Sequence, residues 1–153
     1  MPDLIPDADH ILRHVKATAF DDGKVLGAAF EWMPKRPNDG ASVNWIERAE
    51  GDGREAKIDY IRHRRRLTWK KSHRLAILKA GQVRSTLQLH LSALGIDMHP
   101  DIVTDPLNAE GDKPADPTHA LIVGIPHGDS PEAEAIRDCL AAAVLETVAA
   151  LAD

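Results

Sequence analysis

A chain of 153 residues, 43% apolar and 28% charged, has the size and composition of one globular domain, which excludes two ordinary cores and a disordered chain. Its net charge of −5 conceals an uneven distribution: eleven of the nineteen basic residues, but only the acids Glu55 and Asp59, lie between Arg54 and Arg84. That segment carries +9 and the remainder −14, an asymmetry expected either of a protein with an anionic partner or of two internally attracting faces.

Cys139 is the only thiol, so neither an internal disulfide nor a C-x-x-C site is available. Met1 to His10 holds three Asp and two Pro in place of a basic, apolar leader. The most apolar stretch, Cys139 to Ala152, is broken by Glu146 and Thr147 and falls short of the roughly 20 residues that span a bilayer. The expected setting is cytoplasmic, with no membrane partner.

Residues 1–9, with Pro2 and Pro6, are expected to form a flexible lead, and 10–153 a single domain. His10 to Lys16 suits a strand or a single helical turn. Lys24 to Met33, with Val25, Leu26, Phe30 and Trp32 between Asp22-Gly23 and Pro34, predicts a strand. Pro34 to Gly40 would connect it to a second strand over Ala41 to Ile46, making a hairpin. A loop over Glu47 to Arg54 then leads to a helix over Glu55 to Leu67 with Ile58 and Ile61 inward. Arg74 to Lys79 predicts a buried strand, and Val83, Leu87, Leu91 and Leu94 share one face of a helix stopped by Gly95.

Ile96 to Val103 is confined by Pro100 to an edge strand. Asp105 to Thr118, with three prolines among acids, predicts an exposed acidic loop, and His119 to Ile125 a short apolar segment packed inside. Ser130-Pro131 is a helix start, after which Ile136, Leu140, Val144, Val148 and Leu151 predict an amphipathic C-terminal helix of about five to six turns. The expected fold class is α+β: a small, mainly antiparallel sheet, two to three helices, and the long C-terminal helix packed on one sheet face.

The run containing Arg62, Arg64, Arg65, Arg66, Trp69, Lys70, Lys71 and Arg74 is the leading candidate for chemistry. Guanidinium groups donate paired hydrogen bonds to phosphate, lysines add less directional charge, and Trp69 would stack on an exposed base. The alternative is a helix face whose arginines pair with the acids elsewhere, with Trp69 in the core. The expected function is a nonenzymatic accessory or regulatory module contacting a polyanion, RNA or DNA, with no cofactor.

A second class is a small hydrolase or transferase using a divalent metal held by some of His10, His14, His99, His119 and His127. His10 and His14 are four apart but lack the H-E-x-x-H pattern, while Asp97, Asp101, Asp105 and Asp129 lie near the other three. A third is a protein-interaction module, homo-oligomeric or with a foreign partner, assembling through the C-terminal helix. Lesser candidates are Cys139, which lacks an adjacent cation; Lys79 to Thr86, a glycine turn without a P-loop ending; and Ser42, Asn44 and Glu47 around Trp45.

Overall fold

The computed structural model describes residues 2–151. Its strands are β1 (His10–Val15), β2 (Phe20–Asp21), β3 (Lys24–Val25), β4 (Ala41–Trp45), β5 (Arg74–Lys79), β6 (Asp101–Thr104), β7 (His119–Val123) and β8 (Glu146–Ala149). The helices are α1 (Arg54–Arg62), α2 (Ala80–Ala93) and α3 (Pro131–Ala142). Six strands form one sheet in the order β6-β7-β4-β1-β5-β8, with every neighbouring pair antiparallel, and β2 and β3 form a separate ribbon. The α+β class holds for the described residues.

Strand alternation sorts the core into two layers. On one face Ile11, Val15, Ala76 and Leu78 meet Val83, Leu87 and Leu91 of α2 and Ile136 and Leu140 of α3. On the other, Leu12, Leu75 and Ile77 meet Ile58 and Ile61 of α1, with Ile46 and Trp69. Covered on both sides, β5 reads as a continuous apolar run rather than an alternating one. Each fully buried Leu or Val on α2 stabilises the fold by about 1.5–3 kcal/mol relative to exposure.

The predicted strand at 24–33 is a correction. The Asp22-Gly23 pair takes φ of 49° and 75° and folds β2 back on β3 as a tight ribbon. A 3₁₀ turn over Gly27–Phe30 follows and seats Ala29 and Phe30 in the core beside α3. β4 therefore pairs not with this segment but with β1 and β7.

The long C-terminal helix is also corrected. α3 stops at Ala142, and the chain turns so that Leu145 N–H donates to the Ile77 carbonyl at 2.8 Å and β8 pairs with β5. A helix face and the observed turn and strand both bring Val144 and Val148 against the core, where they are half-buried, but only a strand satisfies the outer backbone groups of β5, four of whose six residues are buried. The apolar side of α3 is spent on the core, leaving Glu132, Glu134 and Asp138 outward.

Within residues 1–9, expected from sequence to be a flexible lead, residues 3–5 are laid along β6, and Asp7 and Asp9 bond the start of α2. Ile5 is 1% exposed and donates its N–H to the Ile102 carbonyl, while Thr104 N–H donates to the Asp3 carbonyl. This covers an edge that would otherwise present free backbone groups. The acidic segment 105–118 closes on itself through reciprocal backbone bonds of Leu107 with Asp116 and of Glu110 with Lys113. Among the described residues no helix is long and apolar enough to cross a membrane.

Candidate polyanion-binding surface

α1 ends at Arg62, five residues short of the predicted helix, so the basic run leaves the helix as an irregular segment over 63–73 before β5 begins. Its side chains have divergent fates. Arg62 turns inward, 5% exposed, donating to Glu55 Oε1 at 3.0 Å, to Asp59 Oδ1, and to the Ala149 carbonyl at 2.7 Å. It joins α1 to β8 and its charge is already matched.

Arg64 lies 3.5 Å over the Tyr60 ring, and Arg65 donates to the Arg62 carbonyl with its guanidinium 5.8 Å from the centre of Trp69. Arg66 crosses to the acidic excursion, where it donates to the carbonyls of Asn108 at 2.7 Å and Pro114 at 3.1 Å. Lys70 and Lys71 are exposed, and Arg74 lies 5.6 Å over Phe20. Among the described residues none of these six cations forms a salt bridge; within 54–84 only Arg54, Arg62 and Arg84 do.

Trp69 faces inward, 7% exposed, with its ring parallel to that of His14 at 5.1 Å. His14 is fixed in turn by His73, whose Nδ1 lies 2.7 Å from His14 Nε2 and accepts from the Lys70 amide at 3.3 Å. That acceptor role puts the shared proton on His14 Nε2. Burial, then His73, Arg13 and Lys16, hold His14 down to about 4, and burial with Lys70 and Lys16 lowers His73. Both imidazoles are therefore neutral at pH 7, and the basic segment rests on an uncharged, stacked floor in a positive local field.

This floor has a pH signature. A basic group whose folded pKa lies below its ordinary value of 6.5 favours folding above that value, and the contribution is lost as pH falls from about 6.5 towards 4. With His14 half-buried, screening by solvent trims the expected loss to about 1–2 kcal/mol. Urea unfolding at pH 7.0 and 4.5 should show that excess loss in wild type relative to His14→Phe; equal losses would mean that His14 titrates normally.

The remaining histidines go to separate places. His10 pairs with Glu47 at 2.7 Å, His119 Nδ1 lies 3.1 Å from Asp105 Oδ2, and His99 and His127 are exposed, the latter beside Trp32. Among the described residues no three His, Cys, Asp or Glu side chains converge as a metal site. Asn44 donates to Asp116 and Thr118, and Trp45 to Asp9, so these polar groups close the sheet's end.

At the start of α2, the amides of Ala80 and Gly81 donate to the carbonyls of Asp9 and Asp7, while Arg84 pairs with Asp7 and Asp101. Cys139 is buried, which pushes its thiol up to about 11 and leaves it protonated at neutral pH.

Sequence reasoning missed the partnership of His14 with His73 and the contributions of Lys16 and Arg13. The pairing of Val15 with Arg74 brings Lys16 and His73 together across two strands, a relation visible only once β1 and β5 are in register. Arg13, on the opposite face, donates to the carbonyls of Ala29, Ser42 and Glu31 and stays protonated at neutral pH, although burial lowers it to about 10. The chain matches no family model, no curated protein and no solved structure.

Proposed function

We propose that the protein is a nonenzymatic accessory or regulatory module that binds a polyanion, RNA or DNA, through the segment 63–74 with Lys16 beside it. The observation that carries this reading is that six cations of one short segment have no carboxylate partner among the described residues, although the chain has an excess of acids. Arg62 is reassigned from contact to support, and Trp69 acts from beneath. The acidic remainder repels phosphate elsewhere and restricts binding to this face. Such a module works in the cytoplasm, where the lone thiol Cys139 stays reduced.

The test is binding of labelled RNA and DNA over a salt series by wild type and by a variant with Arg65, Lys70 and Lys71 all changed to Ala. These side chains are exposed, so a thermal midpoint close to wild type is expected. Wild-type affinity should fall linearly in log–log form with salt, and the variant should bind about 10–100-fold more weakly with a slope shallower by about 3. Absence of binding by wild type at 50 mM salt (about one-third of physiological ionic strength) would sink the proposal.

A further inference from the structure

Phosphate-binding surfaces divide by what accompanies the cations. Surfaces that take single strands add aromatic faces on which successive bases stack, and those faces supply about 1–3 kcal/mol per base. Surfaces that read sequence in a duplex insert a helix or a two-stranded ribbon into the major groove. Neither device accompanies the basic segment here.

Three aromatic rings lie beside the segment: Trp69 is buried, and the half-buried Tyr60 and Phe20 each have an arginine over the ring. Trp69 is 7% exposed with His14 stacked on it, Tyr60 lies under Arg64 at 3.5 Å, and Phe20 lies under Arg74 at 5.6 Å. The other three aromatics are also engaged: Phe30 is fully buried, Trp45 is bonded to Asp9, and Trp32 packs against the core and His127. Five of the six cations project from the irregular segment between α1 and β5, and Arg74 from the first residue of β5, a strand inside the six-stranded sheet rather than a free ribbon.

Several of them are also held in place. Arg64 and Arg65 each donate to a carbonyl of α1, and Arg66 to two carbonyls of the 105–118 excursion, so their forks have limited freedom to follow a mobile strand. A fixed array of charge is best matched by a fixed array of phosphates, and a duplex supplies one charge per about 1.7 Å of axis.

We infer that the ligand of this surface is the sugar-phosphate backbone of a double-stranded nucleic acid, bound without stacking on or reading its bases. This rests on the polyanion reading and narrows it. Lys70 and Lys71 supply the adjustable contacts, Arg64, Arg65, Arg66 and Arg74 the fixed ones, and His14 stacked beneath keeps Trp69 from turning outward.

The experiment compares four labelled ligands of one length by fluorescence anisotropy at 50 and 150 mM salt: duplex DNA, duplex RNA, an intact single strand and the same strand with abasic sites. Either duplex should bind at least 5-fold more tightly than the single strands, the intact and abasic strands should agree within 2-fold, and scrambling the duplex sequence should change nothing. The relative affinity of the two duplexes identifies the preferred sugar.

Trp69→Phe, which retains a buried ring, should leave all four affinities within 2-fold of wild type. An intact strand binding 10-fold more tightly than the abasic one, or more tightly than both duplexes, would overturn the inference while leaving polyanion binding in place. Binding of none of the four would overturn both.

Discussion

Trp69→Ala should lower the free energy of unfolding by about 3–5 kcal/mol, read as a shift in the urea midpoint. The indole is one of the largest side chains in the layer formed by Leu12, Ile46, Ile58, Ile61, Leu75 and Ile77, and its removal takes away both buried area and the ring stacked on His14. The surrounding groups are poorly placed to fill the void. They come from rigid strands and from α1, and the 63–73 segment is held on its far side by Arg66.

Nucleic-acid affinity should fall with the fold rather than independently of it, and Trp69→Phe should recover most of both. If Trp69→Ala unfolds at the wild-type midpoint yet binds more weakly, the ring is a contact surface rather than a support.

A comparable loss is expected at a site remote from the basic segment. Gly95 and Gly124 share φ of 71°, in the left-handed region where an alanine costs about 1–2 kcal/mol. Around Gly95 a Cβ would meet nothing within 4 Å, whereas at Gly124 it would fall 1.9 Å from the His99 carbonyl oxygen and 2.5 Å from its carbon. The obstacle is backbone, so it has no rotamer into which to retreat.

Gly95→Ala should therefore lower stability by about 1 kcal/mol, after the smaller entropy of its unfolded chain is taken into account. Gly124→Ala should lose about 3 kcal/mol or more, because the 96–100 connection must move away from the end of β7. Thermal unfolding of the two variants side by side isolates the steric part, since the two positions share the same φ. Equal midpoints would mean that the approach of His99 to Gly124 relaxes freely.

The elements that could be read from sequence are those in which one face or one terminus decides the outcome. Val83, Leu87 and Leu91 line up on α2, Ser130 caps α3 through its side chain as Ser130-Pro131 suggests, and the Arg74–Lys79 run is a strand covered on both faces. Periodicity failed at Val144, Val148 and Leu151. Intervals of four and three suit one helix face, yet Val144 lies in the turn after α3, Val148 in β8 and Leu151 beyond it, each half-buried against the core, and the demand of β5 for a partner is not local information. For the same reason the hairpin expected from 24–46 did not form: β4 pairs with β1 and β7, neither of which adjoins it in sequence.

The basic segment was legible as charge but not as geometry. Sequence alone could not separate Arg62, consumed by Glu55, Asp59 and the Ala149 carbonyl, from Arg65, because the distinction depends on where α1 ends and on which strand lies beneath it. The two acids within the segment were visible from the start, and both are partners of Arg62.

The strand order has a consequence for how the chain reaches this structure. Apart from β6 and β7, no two neighbours in the six-stranded sheet are consecutive in sequence, and β1 sits between partners far downstream, with Ile11 facing Trp45 on one side and Leu78 on the other. The entropy of closing those long loops precedes most of the gain in pairing, which places folding in the slow, high-contact-order regime of about milliseconds to seconds. Until Arg74–Lys79 docks, β1 exposes a free edge with Ile11, Leu12 and Val15 uncovered. The step most open to misassociation is thus the meeting of β1 with β5, the same step that first brings His14 to His73.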